Sequence, residues 1–376
     1  MARKPITFKA IIFLHSTAMY LMWAAGAAVP LVRLDFGISR TLASVHGIAS
    51  GLGALLGARI AVTSLKYLSR EALVKTTTIT LFIGILGLVL GPTIWITVPG
   101  CGLAAMSQST ISAIIMSQIS HDDKPSMRRV LLQTGIGAAV GSSSILLMSA
   151  ALHSGHNWRL PIFLGIFILG PLTLLVIRNV EFLDAPSSKM HAGTRSFAGI
   201  EKAQVYLIAG LLFFVEMGVG FWAIDLLISR GAGVALGALG AGLMGLSCAL
   251  TRIILGVFNA SPRALSIISV GFPFVGVPII CATTSPSLTM IGLIIAACGT
   301  GPLFSLAIVQ ISDGYRDSAE RISHYMMGSA LSYGVTPFFL ALIFDNAGFI
   351  AGYLALLPAL AIALLLLRRL GAHQEA

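Results

Sequence analysis

The sequence predicts an all-α polytopic membrane protein with twelve transmembrane helices, arranged as two pseudo-symmetric six-helix bundles. Hydrophobic residues make up 56% of the 376-residue chain and charged residues only 10%, whereas soluble domains carry about 25% charged residues. Apolar runs of about 20 residues, the length that crosses a bilayer, recur along the whole chain. Lysine and arginine collect on alternate connections between these runs, as they do in membrane proteins with a fixed orientation.

Charged residues and clusters of proline and glycine separate the apolar runs and define the individual helices. The predicted spans are 8–32, 42–64, 75–97, 99–119, 130–152, 160–178, 204–228, 233–258, 264–283, 287–311, 323–345 and 348–368. The longest polar stretch between runs extends from Arg178 to Lys202, near the middle of the chain. We therefore expect an N-terminal six-helix bundle over 1–180, a central cytoplasmic loop over 181–203 and a C-terminal six-helix bundle over 204–376.

The positive charges orient these helices. With the N-terminus inside, all but six of the 24 Lys and Arg residues fall in inner segments. The six exceptions are Arg33, Arg40, Arg159 and Arg230 in outer segments, and Arg59 and Arg252 within helices. This bias places both termini in the cytoplasm, and the short loops favour a bacterial cytoplasmic membrane. The net charge of +10 is then explained by the positive inner segments, which orient the helices and lie next to membrane lipid. No nucleic-acid partner is expected.

The two halves of the chain repeat each other weakly. Gln118-Ile119-Ser120 ends the predicted fourth helix, and Gln310-Ile311-Ser312 ends the predicted tenth, about 192 residues later. At nearly the same offset, Gly53 precedes Arg59-Ile60 as Gly245 precedes Arg252-Ile253. Parallel six-helix repeats are typical of transporters that hold a substrate between the two halves, near the middle of the bilayer.

Three segments carry a resemblance to a known family. They are Pro30-Leu-Val-Arg-Leu-Asp-Phe-Gly-Ile-Ser39 before the second helix, Asn157-Trp158-Arg159 at the start of the sixth, and the glycine-rich fifth helix. With two six-helix halves and a central loop, the chain resembles the major facilitator superfamily over nearly its whole length. This resemblance implies a monomeric secondary active transporter that works by alternating access. The loop after the second helix departs from the family pattern, because Ser69-Arg70-Glu71 lacks the usual aspartate.

Arg59 and Arg252 are the first candidate site residues, because they occupy equivalent positions in the repeat. A guanidinium inside a membrane is costly, and two at matched depth favour a shared cavity in which both bind one anion. The placement is similar to that of the nitrate/nitrite porter branch, which implies a substrate-binding role for both residues. The alternative is that both side chains extend to the inner interface or contact neighbouring helices.

Glu216 lies at the centre of the predicted seventh helix and is the candidate proton-coupling residue. Desolvation disfavours its charged form unless a cation neutralises it. Glu216 is therefore expected to carry the coupled proton, or to neutralise Arg59 or Arg252 when the cavity is empty. A protonated structural acid is the alternative.

Further candidates for substrate binding lie on the helices that line the cavity in this superfamily. Tyr20 and Trp23 form an aromatic face with polar tips on the first helix, and Gln108 and Thr300 lie in polar or small-residue stretches of the fourth and tenth. Each has a competing explanation in helix packing. His15, also on the first helix, is a weaker candidate for relaying protons.

Absent motifs narrow the function further. The sequence contains no Walker motif, no paired catalytic constellation and no clustered cysteines, so it predicts no enzyme activity, cofactor or metal site. We expect a transporter of a small solute, specifically an anion or organic acid moved with protons. A proton-driven exporter of drugs or amphipathic compounds is the first alternative. The second is a membrane sensor on the same scaffold that transports nothing.

Overall fold

A computed structural model of the chain describes residues 4–119, 127–182, 199–258, 260–312 and 318–372. Within these ranges nearly all residues are helical. The helices are α1 (Phe8–Phe36), α2 (Arg40–Ala43), α3 (Val45–Ser64), α4 (Arg70–Leu90), α5 (Ile94–Ile119), α6 (Met127–His153), α7 (Leu160–Asn179), α8 (Gly199–Gly220), α9 (Ala223–Ser229), α10 (Val234–Leu255), α11 (Pro262–Ala282), α12 (Pro286–Ser312), α13 (Ser318–Leu354) and α14 (Leu356–Ala372). The two-residue strands β1 (Lys4–Pro5) and β2 (Val180–Glu181) pair in parallel.

Eleven helices in the described ranges are long and apolar enough to cross a membrane. The α14 helix is shorter, at 17 residues. It continues from α13, which is broken by a non-helical glycine, Gly348, with φ 80°. The break separates the predicted eleventh helix from the twelfth. The prediction of an all-α polytopic membrane protein is therefore confirmed.

Several predicted helix ends are displaced in the structure. The third predicted helix begins earlier, at Arg70, because the Ser69 hydroxyl caps it by accepting a hydrogen bond from the amide of Ala72. It also ends earlier, at Leu90, because the residue before Pro92 is pushed out of the helical region, and Gly91 accordingly has ψ 122°.

The start of the second half is also displaced. The α8 helix begins at Gly199, inside the loop predicted over 181–203. Most of that loop, residues 183–198, lies outside the described residues, as does Ser120 of the Gln-Ile-Ser repeat.

Small residues let α3 and α5 approach closely. A Cβ atom added at Gly53 would lie 2.1 Å from the carbonyl oxygen of Gly102, and one added at Gly57 would lie equally close to that of Met106. Both distances are far below van der Waals contact. Close backbone approach through small residues is the usual means of helix association in a membrane.

Replacing Gly53 by alanine is expected to lower the free energy of unfolding by about 1–3 kcal/mol, because the two helices must separate to admit the methyl group. Gly26→Ala on α1 is the matched control. A Cβ there meets no atom within 4 Å, so helix propensity leaves stability equal or raises it by up to about 1 kcal/mol. Thermal unfolding of both purified variants in one detergent measures the difference. Equal melting temperatures would contradict this packing.

Residues 8–182 and residues 199–372 contact each other along two helix pairs, α3 with α13 and α6 with α10. In the first pair, a Cβ at Gly51 would lie 2.5 Å from the Cα of Gly334. In the second, the side chain of Leu146 packs against Gly242. These two seams position the groups described next.

Candidate functional site

A buried ion pair joins α8 and α10. An Oε1 atom of Glu216 lies 2.5 Å from Nη2 of Arg252. The Nε atom of Arg252 also donates a hydrogen bond to the carbonyl oxygen of Gly301 on α12, at 2.8 Å. The side chains of Arg252 and Glu216 are only 7% and 16% exposed. Three helices of the second half therefore converge on one charged group in the bundle.

The direction of helical side chains explains how Arg252 reaches this position. Its Cα lies three residues before the end of α10 at Leu255, but Cα–Cβ bonds tilt toward the helix N-terminus. The guanidinium therefore extends back into the bundle, where it meets Gly301 near the middle of α12. Arg252 therefore does not extend to the inner interface; it makes the contacts with neighbouring helices that the same alternative allowed.

The carboxylate of Glu216 is only partly satisfied. Its Oε2 atom is buried and has no hydrogen-bond partner. An unsatisfied buried acceptor costs about 1–3 kcal/mol, and more when it is charged. A buried ion pair also adds little net stability, because desolvation offsets the attraction. The arrangement is therefore poorly explained by stability alone, and it leaves one carboxylate oxygen available to a proton or ligand.

The ion pair lies against the seam between the two halves. A Cβ added at Gly135 on α6 would lie 3.1 Å from the Cβ of Arg252. Two residues further along α6, Gly137 contacts the ring of the buried His15 on α1. The Nδ1 atom of His15 has no hydrogen-bond partner. A movement of one half against the other would therefore change the surroundings of Arg252.

Four aromatic rings form a cluster next to the ion pair. The ring centroids of Phe213 and Phe304 are 5.5 Å apart, and those of Phe304 and Tyr325 are 4.9 Å apart. Tyr333 completes the cluster at 5.9 Å from Phe213. We call these residues the aromatic cluster. The hydroxyl of Tyr325 donates to the carbonyl oxygen of Phe304, at 3.1 Å. The rings thus form an apolar wall beside a charged group.

Arg59 lies in surroundings unlike those of Arg252. It is exposed, and it shares one helical stripe of α3 with Leu52 and Leu56, which are 58% and 56% exposed. The two arginines are equivalent in the sequence repeat, but one is exposed on an apolar stripe and the other is buried in an ion pair. The structure does not show the predicted clamp of both arginines around one anion.

The two aromatic candidates on α1 lie in different places. The hydroxyl of Tyr20 donates to the carbonyl oxygen of Pro161 on α7, at 3.0 Å, so this buried side chain packs within the first half. Trp23 lies instead at the seam, where its ring contacts Gly141 on α6 and Gly245 on α10. Trp23 is the better placed of the two to respond to relative movement of the halves.

The two polar candidates also differ. The Nε2 atom of Gln108 donates to Ser112, at 3.0 Å, and lies 3.8 Å from the sulfur of Met19 on α1. Gln108 is only half-buried. Thr300 is buried on α12, directly before the glycine whose carbonyl accepts from Arg252. Their roles in substrate binding stay predictions.

A second group of charges was missed by the sequence analysis. Asp225 is fully buried and lies 2.6 Å from Arg33 and 3.6 Å from Arg40, both of the first half. Arg40 also pairs with Asp345 at 3.1 Å, and Thr41 donates to the same carboxylate through its amide and hydroxyl. From their positions near helix ends, both acids would be read as ordinary solvated groups. They instead tie the halves together at the end of the bundle where α1 ends, and we call this group the inter-half ion-pair cluster.

No family model matches the sequence, and no curated protein matches it. Solved structures do match its fold. The human organic anion transporter MFSD10 superimposes with a TM-score of 0.70 at 12% identity, covering 96% of this chain and 100% of that one. A D-xylose-proton symporter gives 0.71 at 15% identity, with 96% of each chain covered. FucP, a major facilitator superfamily transporter in the outward conformation, gives 0.62 at 12% identity, covering 95% and 98%.

These likenesses establish the class of fold. The chain has the fold of major facilitator superfamily transporters, and it is a multi-pass integral membrane protein. The printed names of these similar structures describe transporters. At identities of 12–15%, these matches show the fold.

Proposed function

We propose that this protein is a proton-coupled secondary transporter of a small organic anion, and that the Glu216–Arg252 pair is its coupling site. The observation that carries the proposal is the buried contact of 2.5 Å between these side chains, with Oε2 of Glu216 unpartnered. Intramembrane ionisable groups of this kind mark substrate and proton pathways in transporters. In this role Glu216 neutralises Arg252 while no substrate is bound.

The chemistry of the pair links the two solutes. While Glu216 is ionised it neutralises Arg252, which leaves the guanidinium without affinity for a second anion. Protonation of Glu216 removes that negative charge and frees an Nη2–H donor for a substrate carboxylate, a group that guanidinium binds through paired hydrogen bonds. Proton and anion then occupy the site together, and the buried charge stays balanced. Arg252 lies against Gly135 of the other half, so alternating access would carry the loaded site from one side to the other.

The fold neighbours are compatible with this assignment. The printed names of two of them describe an organic anion transporter and a proton symporter. The charge bias of the loops favours cytoplasmic termini, and with that orientation the inter-half ion-pair cluster would face outside. Export of amphipathic compounds would be favoured by an apolar cavity with both arginines at its gate, whereas Arg252 is buried in an ion pair. A sensor that transports nothing has no need of a partly satisfied ion pair.

Transport by the purified protein in proteoliposomes tests the proposal. We expect a proton gradient, acidic outside, to drive uptake of at least one labelled probe among acetate, lactate and benzoate beyond the uptake by protein-free liposomes, because the protonated acids also cross a bilayer unaided. Glu216→Gln is expected to abolish the stimulation by the gradient, because the amide cannot take up a proton. Glu201→Gln is the matched control, since Glu201 lies on the same helix and pairs with Arg321 at 2.8 Å. Gradient-driven uptake that survives Glu216→Gln would refute the coupling role.

A further inference from the structure

We infer that the anion recognised at this site is an aromatic carboxylate, whose ring packs on the aromatic cluster while its carboxylate binds Arg252. This inference rests on the proposed function and adds the class of substrate to it. Small aliphatic acids and inorganic oxyanions would use only the guanidinium. An aromatic carboxylate would use the aromatic rings beside Arg252 as well.

The aromatic cluster is continuous with the ion pair along two helices. Phe213 lies three residues before Glu216 on α8, and Phe304 lies three residues after Gly301 on α12. Residues spaced by three share one helix face, so each ring lies one turn from a group that contacts Arg252. A carboxylate on the guanidinium would bring the body of its molecule within one helical turn of both rings.

The rings have surface to offer a ligand. Phe213, Phe304 and Tyr333 are each half-buried, whereas Tyr325 behind them is completely buried. The Tyr325 hydroxyl is already bonded to a carbonyl group, so this polar group makes no further demand on a ligand. The centroid separations of 4.9–5.9 Å are those at which aromatic pairs attract each other, and an added ring would extend the same packing.

The neighbouring residue Phe214 lies on α8 as well but does not belong to the aromatic cluster. Its ring packs on Phe339, at 6.2 Å, and Phe339 is 46% exposed on the surface of the bundle. Phe213 and Phe214 are thus adjacent in sequence but lie on different faces of one helix. This pair supplies a matched control for the role of the cluster.

Ligand binding to the purified full-length protein tests the inference, with benzoate and cyclohexanecarboxylate as probes of equal charge and similar size. We expect benzoate to bind about tenfold more tightly in isothermal titration, a ratio consistent with one or two favourable ring contacts. Phe304→Leu and Phe213→Leu are each expected to bring that ratio close to one by weakening benzoate alone. Phe214→Leu is expected to leave it unchanged.

The outcomes separate this inference from the function on which it rests. Equal affinity for the two probes, with both lost in Arg252→Gln, would overturn the aromatic preference and leave anion transport standing. Benzamide binding as tightly as benzoate would show that charge plays no part, which would overturn the proposed function. If Phe213→Leu does not fold, Phe304→Leu and the ratio in the unmodified protein decide the question.

Discussion

Replacing Arg252 by glutamine is expected to lower the free energy of unfolding by about 3–5 kcal/mol and to weaken binding of an anionic substrate at least 30-fold. The first effect arises because Glu216 is left as a buried carboxylate without a counter-charge. The second reflects the loss of a desolvated charged donor, which costs about 2–5 kcal/mol, where each 1.4 kcal/mol is a factor of ten. Chemical denaturation and titration with a carboxylate probe measure the two effects separately.

The double variant Glu216→Gln/Arg252→Gln separates the effect on anion binding from the effect on stability. Two amides can hydrogen-bond across the same gap with no charge to desolvate, so stability should return close to that of the unmodified protein. Anion binding should stay lost. If the double variant bound the probe like the unmodified protein, Arg252 would not be the anion site. If Arg252→Gln alone unfolded no more easily than the unmodified protein, Arg252 would not be the counter-charge of a buried Glu216 carboxylate.

Asp225→Asn is expected to open the end of the bundle where α1 ends. Among the described ion pairs, Asp225 is the only carboxylate shared by Arg33 and Arg40. Its loss leaves Arg33 without an acidic partner in these pairs, while Arg40 keeps Asp345. Loss of one partner from such a pair costs about 2–5 kcal/mol, so the open state should become at least tenfold more populated. The measured quantity is the rate at which an impermeant maleimide modifies a cysteine placed at Gly26, in a chain whose four native cysteines have been replaced.

Gly26 suits this measurement because an added side chain meets nothing within 4 Å there, and because it lies one turn after Trp23 on α1. Asp35→Asn is the control. Asp35 pairs with Arg159 at 2.8 Å, at the same end of the bundle but entirely within the first half. It should leave the labelling rate unchanged. Equal acceleration by both substitutions would mean that the charges stabilise the surface generally and do not join the halves.

The fold was predictable because its main determinants are local and one-dimensional. Span length, charge bias on the loops and the offset of Arg59 and Arg252 can all be read along the chain. Helix ends were less accurate where a cap or a proline decided them, as at Ser69 and Pro92. Part of the site was predictable for the same reason, since a carboxylate such as Glu216 inside an apolar span is conspicuous anywhere in a sequence.

The contacts of these groups were not predictable, because they depend on which face of each helix turns inward. The repeat makes Arg59 and Arg252 equivalent, yet their surroundings differ completely. No local feature distinguishes Asp225, buried between two arginines, from a solvated acid at a helix end. The aromatic cluster likewise joins residues from α8, α12 and α13, and becomes a feature only once those helices pack.

The sequence by itself determined that this chain is a bundle of membrane-spanning helices in two related halves, with two arginines and a glutamate inside apolar spans. The reason is that a bilayer imposes length and polarity on every span, whatever its neighbours. Only the tertiary structure decided that Glu216 is the partner of Arg252 and that Arg59 stands apart. Which residues form an ion pair depends on how each helix is rotated and on how far each side chain reaches. The sequence of a single helix determines neither.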